Sequence, residues 1–163
     1  MKKQNNAGFS LVELIVTILI MSILAAGVVV SVVAMHRADS DKEANKIAMM
    51  LEKGRVQAMS KADGVYVRLY ADSNGNHISV VESGKITTVD LDAKATIAYM
   101  KQGGVETTLA LGDEVKIRFS KSSGAFNASA EGYLVEYIKV TADKDLYVCL
   151  VADTGRCYID TTY

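Results

Sequence analysis

A run of 22 uncharged residues, Leu14 to Met35, constrains this 163-residue chain more than any other feature. As an α-helix the run would span about 33 Å at about 1.5 Å per residue, enough to cross the hydrocarbon core of a bilayer. The segment before it carries Lys2 and Lys3, and no acidic residue up to Gly8. By the positive-inside tendency this end stays in the cytoplasm. The sequence therefore predicts a single-pass membrane protein with its main domain outside the cytoplasm.

A secretory signal peptide is the alternative interpretation of the N-terminus, because Val32-Val33-Ala34 offers small residues for cleavage. The apolar run is longer than the roughly 7–15 residues of a signal-peptide apolar region. Glu13 also stands at its start. A carboxylate near the apolar end of a membrane helix costs on the order of 2–3 kcal/mol. Its presence predicts a partner for Glu13, which a signal peptide does not need.

The residues Gly8-Phe9-Ser10-Leu11-Val12-Glu13, followed by the apolar run, resemble the cleavage and methylation motif of type IV prepilins and type II secretion pseudopilins. The resemblance implies cleavage after Gly8 by a prepilin peptidase and N-methylation of Phe9. It also implies that Glu13 pairs with the N-terminal ammonium of a neighbouring subunit, which offsets the cost of burying the carboxylate. The implied partners are other pilin subunits, the membrane before assembly and an inner-membrane assembly platform.

The helix is expected to continue beyond Met35, because no Pro or Gly follows before Gly54. Residues at three- and four-residue spacing form one apolar face, namely Ala44, Ile47, Ala48 and Leu51, whereas charged residues including Glu43 are expected elsewhere. The predicted division is a cleaved leader over 1–8, a transmembrane and assembly half-helix over 9–35, an amphipathic half-helix over 36–60 and a globular β domain over 61–163.

From Gly64 onward the hydrophobic period becomes two, and turn signals such as Asn74-Gly75 and Ser83-Gly84 separate the apolar stretches. Seven to nine short antiparallel strands are expected. The stretches predicted as strands are Val65–Tyr70, His77–Glu82, Lys85–Leu91, Thr96–Met100, Val105–Leu111, Glu114–Phe119, Tyr133–Val140 and Leu146–Val151. The predicted fold class is α+β: a long membrane-spanning helix packed through its C-terminal half on an antiparallel β domain, as in type IV pilins.

Two further segments, Lys116 to Gly124 and Leu150 to Tyr158, resemble the C-terminal pattern of GspH/FimT-type minor pseudopilins. The resemblance rests chiefly on Thr154-Gly155-Arg156 between two apolar stretches. It implies a minor or tip subunit rather than the main building block of a filament.

Cys149 and Cys157 flank the turn Ala152 to Gly155. If opposed residue numbers in this hairpin sum to 306 or 308, the cysteines share a face, whereas a sum of 307 places them on opposite faces. Export permits oxidation, so we expect a Cys149–Cys157 disulfide. The alternative is two separate small hydrophobic residues.

No motif of a known catalytic site is present, and the sequence predicts neither an enzyme nor a cofactor. His36 and His77 accompany no Cys-x-x-Cys, so no metal site is expected. The segment Asp72 to Asn76 suggests a calcium loop, but His77 and Ser83 stand where such a loop needs Gly and Glu. We interpret it as a β-turn.

The charge of the chain argues against a protein built to bind phosphates. Without the leader, 16 basic and 19 acidic side chains remain. The sequence thus predicts a structural subunit, of minor type, of a type IV pilus or a related secretion or competence filament, located in the membrane and then in an extracellular or periplasmic filament. The alternatives are a DNA- or surface-binding receptor pilin, using a patch of Lys116, Arg118, Lys121 and Arg156, and a plain membrane-anchored exported domain.

Overall fold

The computed structural model describes residues 11–60, 64–128 and 132–163, and no side chain of residues 24–39. The chain divides into two compact units, Met1–Met35 and His36–Tyr163. The single helix of the described residues, α1 over Leu11–Ser60, contributes to both units. Gly8 and Phe9, the predicted processing residues, lie outside the described residues.

In the first unit, α1 begins at Leu11, the first described residue, and acidic Glu13 lies in its first turn. No helix of the described residues combines the length and the apolar character needed to cross a bilayer. The side chains of residues 24–35, within the predicted span, lie outside those described.

The second unit combines the rest of α1 with two antiparallel five-stranded sheets. The strands are β1 Tyr66–Asp72, β2 Gly75–Glu82, β3 Lys85–Asp90, β4 Thr96–Lys101, β5 Glu106–Thr108, β6 Glu114–Phe119, β7 Phe126–Asn127, β8 Val135–Thr141, β9 Asp145–Val151 and β10 Arg156–Asp160. The first sheet has the order β3-β2-β1-β6-β7 and the second has the order β10-β9-β8-β4-β5. The structure is α+β with antiparallel sheets, as the hydrophobic periods predicted.

One continuous core joins the helix to both sheets. Ala44, Ile47 and Leu51 of α1 are buried in it, together with Val67 of the first sheet and Ile138 of the second. These helical residues belong to the apolar face expected from the three- and four-residue spacing.

A glycine lets α1 approach the first sheet closely. A Cβ atom at Gly54 would collide with the side chain of Val67 and would come within 3.2 Å of the ring of Phe119. Any larger residue at this position would therefore push the helix away from β1 and β6.

Two details of the strand prediction were wrong. The stretch Val105–Leu111 forms a strand only over Glu106–Thr108, because a turn follows in which the Asp113 amide donates to Ala110 O and the Ala110 amide donates to the Asp113 carboxylate. The described residues also form ten strands rather than seven to nine. The two-residue strand β7, Phe126–Asn127, is too short to leave an alternating pattern in the sequence.

Candidate processing and assembly site

The first thirteen described residues of α1, Leu11 to Ile23, present apolar side chains all around the helix. The ten Leu, Ile, Val and Met side chains of this segment are between 48 % and 77 % exposed. The hydroxyls of Thr17 and Ser22 donate to the carbonyls of Leu14 and Ile18 within the same helix. Since these hydroxyls bond within the helix, the segment is suited to an apolar environment.

A helix that is hydrophobic on every side is normally buried, in a protein core or in a membrane. Glu13 is the one charged residue between Leu11 and Ile23, and it is exposed. The segment therefore combines an uninterrupted apolar surface with a single carboxylate near its start. This geometry suits docking into an apolar environment that also supplies a positive charge.

The comparisons with known proteins point to the same segment. The family model described as the prokaryotic N-terminal methylation motif matches residues 3–29. The chain carries the type IV prepilin signature. The matched range includes Gly8, Phe9 and Glu13. No curated protein and no solved structure matches the chain.

The prepilin signature favours a structural subunit over an enzyme, and it implies a prepilin peptidase and other pilin subunits as partners. The sequence interpretation of the N-terminus as a prepilin motif is thus confirmed. The signature covers only residues 3–29 and includes no residue of the globular unit.

The predicted disulfide between Cys149 and Cys157 is not formed, and both cysteines are free. Cys149 lies opposite Tyr158 and Cys157 lies opposite Leu150 in the β9–β10 hairpin, a register whose residue numbers sum to 307. The two sulfur atoms therefore point to opposite faces of the sheet.

The two thiols have different surroundings. Cys157 packs against the core, with its Sγ atom 3.6 Å from the carbonyl oxygen of Ala48 in α1. Burial raises the pKa of the Cys157 thiol to about 11. Burial also raises the pKa of the Cys149 thiol. Both groups are thus protonated near neutral pH, as expected for packing residues rather than reactive thiols.

The hairpin that carries Thr154-Gly155-Arg156 contacts the segment that ends at Gly124, so the structure brings together the two segments that resemble minor pseudopilins. A Cβ atom at Gly155 would collide with the backbone of Gly124. Gly155 also has a positive φ of 64°, which favours glycine. Next to this contact, the Phe126 amide donates to Ala152 O at 2.9 Å and so links the two sheets.

Three of the four residues of the hypothetical basic patch divide between the two sheets. Lys116 and Arg118 belong to β6 of the first sheet, and the Lys116 ammonium lies 3.4 Å from the carboxylate of Glu114. Arg156 belongs to β10 of the second sheet.

The described residues contain no group of three side chains suited to hold a metal ion.

Sequence analysis missed a buried carboxylate on α1. Glu43 is 1 % exposed, whereas the charge pattern had placed it away from the core. Its carboxylate accepts hydrogen bonds from the Lys46 ammonium at 2.8 Å and from the Asp92 amide at 3.1 Å. Lys46 also donates to the carbonyl oxygen of Asp90 at 2.9 Å. Glu43 and Lys46 thus fix α1 to the connection between β3 and β4.

A second missed feature is His77, which is 8 % exposed although it lies in a region predicted as a turn and a strand start. Its Nδ1 atom is 2.8 Å from Asp90 Oδ1 and its Nε2 atom is 3.0 Å from Asp72 Oδ1. The imidazole also stacks on the ring of Tyr70, with 5.1 Å between centroids. The segment after Asp72 is the predicted tight turn, in which the Asn74 amide donates to the Asp72 carboxylate.

Proposed function

We propose that this chain is a prepilin-like subunit of a type IV pilus or of a related type II secretion or competence filament. It is cleaved after Gly8, methylated at Phe9 and assembled through the N-terminal part of α1. The observation that carries the proposal is the all-round apolar surface of Leu11 to Ile23 within the methylation motif.

The exposed apolar surface would keep this segment out of water, both in the membrane and among other helices. Relative to water, covering ten apolar side chains that are half-exposed or more is worth on the order of 10 kcal/mol. Before assembly, the uncharged run from Leu14 to Met35 would hold the chain in the membrane. During assembly the same helix would exchange contacts with lipid for contacts with the helices of other subunits.

Glu13 would set the position of the incoming subunit. A carboxylate within an apolar environment is costly unless a positive partner compensates it. The new N-terminal ammonium at Phe9 of a neighbouring subunit is such a partner. Assembly would therefore depend on the charge of Glu13 rather than on its size.

A minor role within the filament is the finer part of the proposal. It rests on the resemblance of Thr154-Gly155-Arg156 and the Lys116 to Gly124 segment to minor pseudopilins. The close approach of Gly155 to Gly124 supports a joint role for the two segments, because a Cβ atom at Gly155 would collide with the backbone of Gly124. The globular unit would then occupy the filament surface or tip, outside the cytoplasm.

The Glu13→Gln variant tests the assembly role with little change in side-chain shape. We expect normal cleavage and membrane insertion, and at least a tenfold loss of incorporation into filaments, measured by quantitative immunoblotting of sheared filaments at equal expression. Glu52→Gln is the matched control, since Glu52 is an exposed carboxylate on the same helix that pairs with Arg55. Equal incorporation of Glu13→Gln and wild type would remove the proposed role of Glu13.

A further inference from the structure

The contacts of His77 require a particular protonation state. Both ring nitrogens lie within 3.0 Å of a carboxylate oxygen, one from Asp90 and one from Asp72. An ionised carboxylate only accepts hydrogen bonds, and a neutral imidazole has one N–H and one lone pair. Only the imidazolium can donate to both carboxylates at once. If the imidazolium lost one proton to solvent, one ring nitrogen would face its carboxylate with a lone pair instead of an N–H group.

These two contacts join three strands at one end of the first sheet. Asp72 ends β1, His77 lies in β2 and Asp90 ends β3. The side chains of Asp72 and Asp90 are 43 % and 83 % exposed, whereas that of His77 is 10 % exposed. His77 is thus nearly buried, whereas its two carboxylate partners are in contact with solvent. The imidazole can therefore exchange protons with solvent through them.

The same end of the sheet also holds the helix. The carbonyl of Asp90 accepts a hydrogen bond from Lys46, and the amide of Asp92 donates to buried Glu43. Asp90 therefore bonds to His77 through its side chain and to α1 through its backbone. A change in the position of Asp90 would alter both contacts.

We propose that protonated His77 is a pH-sensitive tie that holds the end of β3 in place and thereby secures α1 on the first sheet. When His77 loses its proton, the tie opens and the connection after β3 holds the helix less firmly. This device belongs to the globular unit and does not depend on the proposed filament function.

The charged and titratable groups around His77 favour its protonated form. Asp72 and Tyr70 face it from β1, and Asp90 faces it from β3. Burial lowers the pKa of His77, but the hydrogen bonds and charges of Asp90 and Asp72 outweigh burial and raise the pKa above the usual value of 6.5.

Further groups lie at the edge of this cluster. Glu114 of β6 is the cross-strand partner of Tyr70, and the Arg68 guanidinium lies 4.3 Å from the centroid of the Tyr70 ring. From α1, the Lys46 ammonium reaches the backbone of Asp90. The backbone amide of Asn74 and the contact with His77 lower the pKa of Asp72, so this carboxylate is ionised whenever the histidine titrates.

The sign of the pH dependence follows from the raised pKa of His77. The tie is complete below pH 6.5, where the histidine would be protonated even in the unfolded chain, and it is lost as the pH rises through the folded-state pKa. Acidification of the surroundings therefore strengthens this end of the sheet.

A histidine NMR titration of the full chain in detergent micelles tests the tie directly. The chain has two histidines, so a His36→Gln variant identifies the His77 signal. We expect a pKa above 6.5 for His77 in wild type and a lower pKa in Asp90→Asn, because one of the two negative charges is removed. A His77 pKa at or below 6.5 in wild type, or an unchanged pKa in Asp90→Asn, would overturn the proposal.

Amide hydrogen exchange tests the effect on the helix contact. At pH 6 the Asp92 amide should exchange about tenfold more slowly in wild type than in His77→Gln, and at pH 9 the two rates should converge. The Leu109 amide, which donates to Ile97 in the second sheet, is the control and should be the same in both proteins. If His77→Gln does not fold, the same comparison is made with Asp90→Asn. A wild-type to variant ratio that does not change with pH would contradict a tie operated by protonation.

Discussion

Two segments of α1 have the same secondary structure and opposite surfaces. In Leu11 to Ile23 every large apolar side chain is exposed, whereas in Ser40 to Ser60 the residues Ala44, Ile47 and Leu51 are buried. The second segment packs the face formed by Ala44, Ile47 and Leu51 within its own chain, against the two sheets. The first segment has a surface that another molecule or a membrane must cover. The comparison shows that helix formation alone does not tell which segment of α1 packs within the chain, whereas the burial of Ala44, Ile47 and Leu51 does.

Truncating one leucine in each segment should separate the two roles most strongly. Leu51→Ala should lower the free energy of unfolding by about 3–4 kcal/mol, because a fully buried leucine leaves a cavity. Leu19→Ala, at a position that is 59 % exposed, should change it by less than about 0.5 kcal/mol. Denaturant unfolding of the full chain in detergent measures both values. Equal losses for the two variants would contradict the division of α1.

Neutralising one carboxylate on α1 should give a smaller effect. Glu43→Gln should cost about 2 kcal/mol, since the buried side chain loses charge-assisted hydrogen bonds from Lys46 and the Asp92 amide. Glu52→Gln is the control, because its ion pair with Arg55 has the same spacing but half of its acidic side chain is exposed, and it should cost less than about 0.5 kcal/mol. If Glu43→Gln were as stable as Glu52→Gln, the buried contact would not secure the helix.

The helix and most strands could be predicted because their signals are local. The three- and four-residue spacing of Ala44, Ile47 and Leu51 indicated the buried face, and the alternation after Gly64 indicated the sheets. Glu43 was misplaced because its charge was taken as a sign of exposure. It lies one residue before Ala44, and the Lys46 and Asp92 contacts that allow its burial come from the fold.

The register of the β9–β10 hairpin explains why the disulfide prediction was wrong. The turn Ala152 to Gly155 is compatible with several registers, and the one formed places Cys149 and Cys157 on opposite faces. The contact between His77 and Asp90, by contrast, could have been found from the sequence. The turn Ser83-Gly84 pairs Glu82 with Lys85, and counting back along both strands places His77 opposite Asp90.

The proposed function requires that the N-terminus is processed as a prepilin, so that the apolar segment stays attached to the globular unit. Mass spectrometry of the N-terminal peptide tests this most directly, with the chain expressed beside a prepilin peptidase and isolated from membranes. We expect a peptide that begins at Phe9 and carries one N-terminal methyl group. A chain that begins at Met35, after Ala34, would show signal-peptidase cleavage and loss of the apolar segment, and would contradict the proposed function.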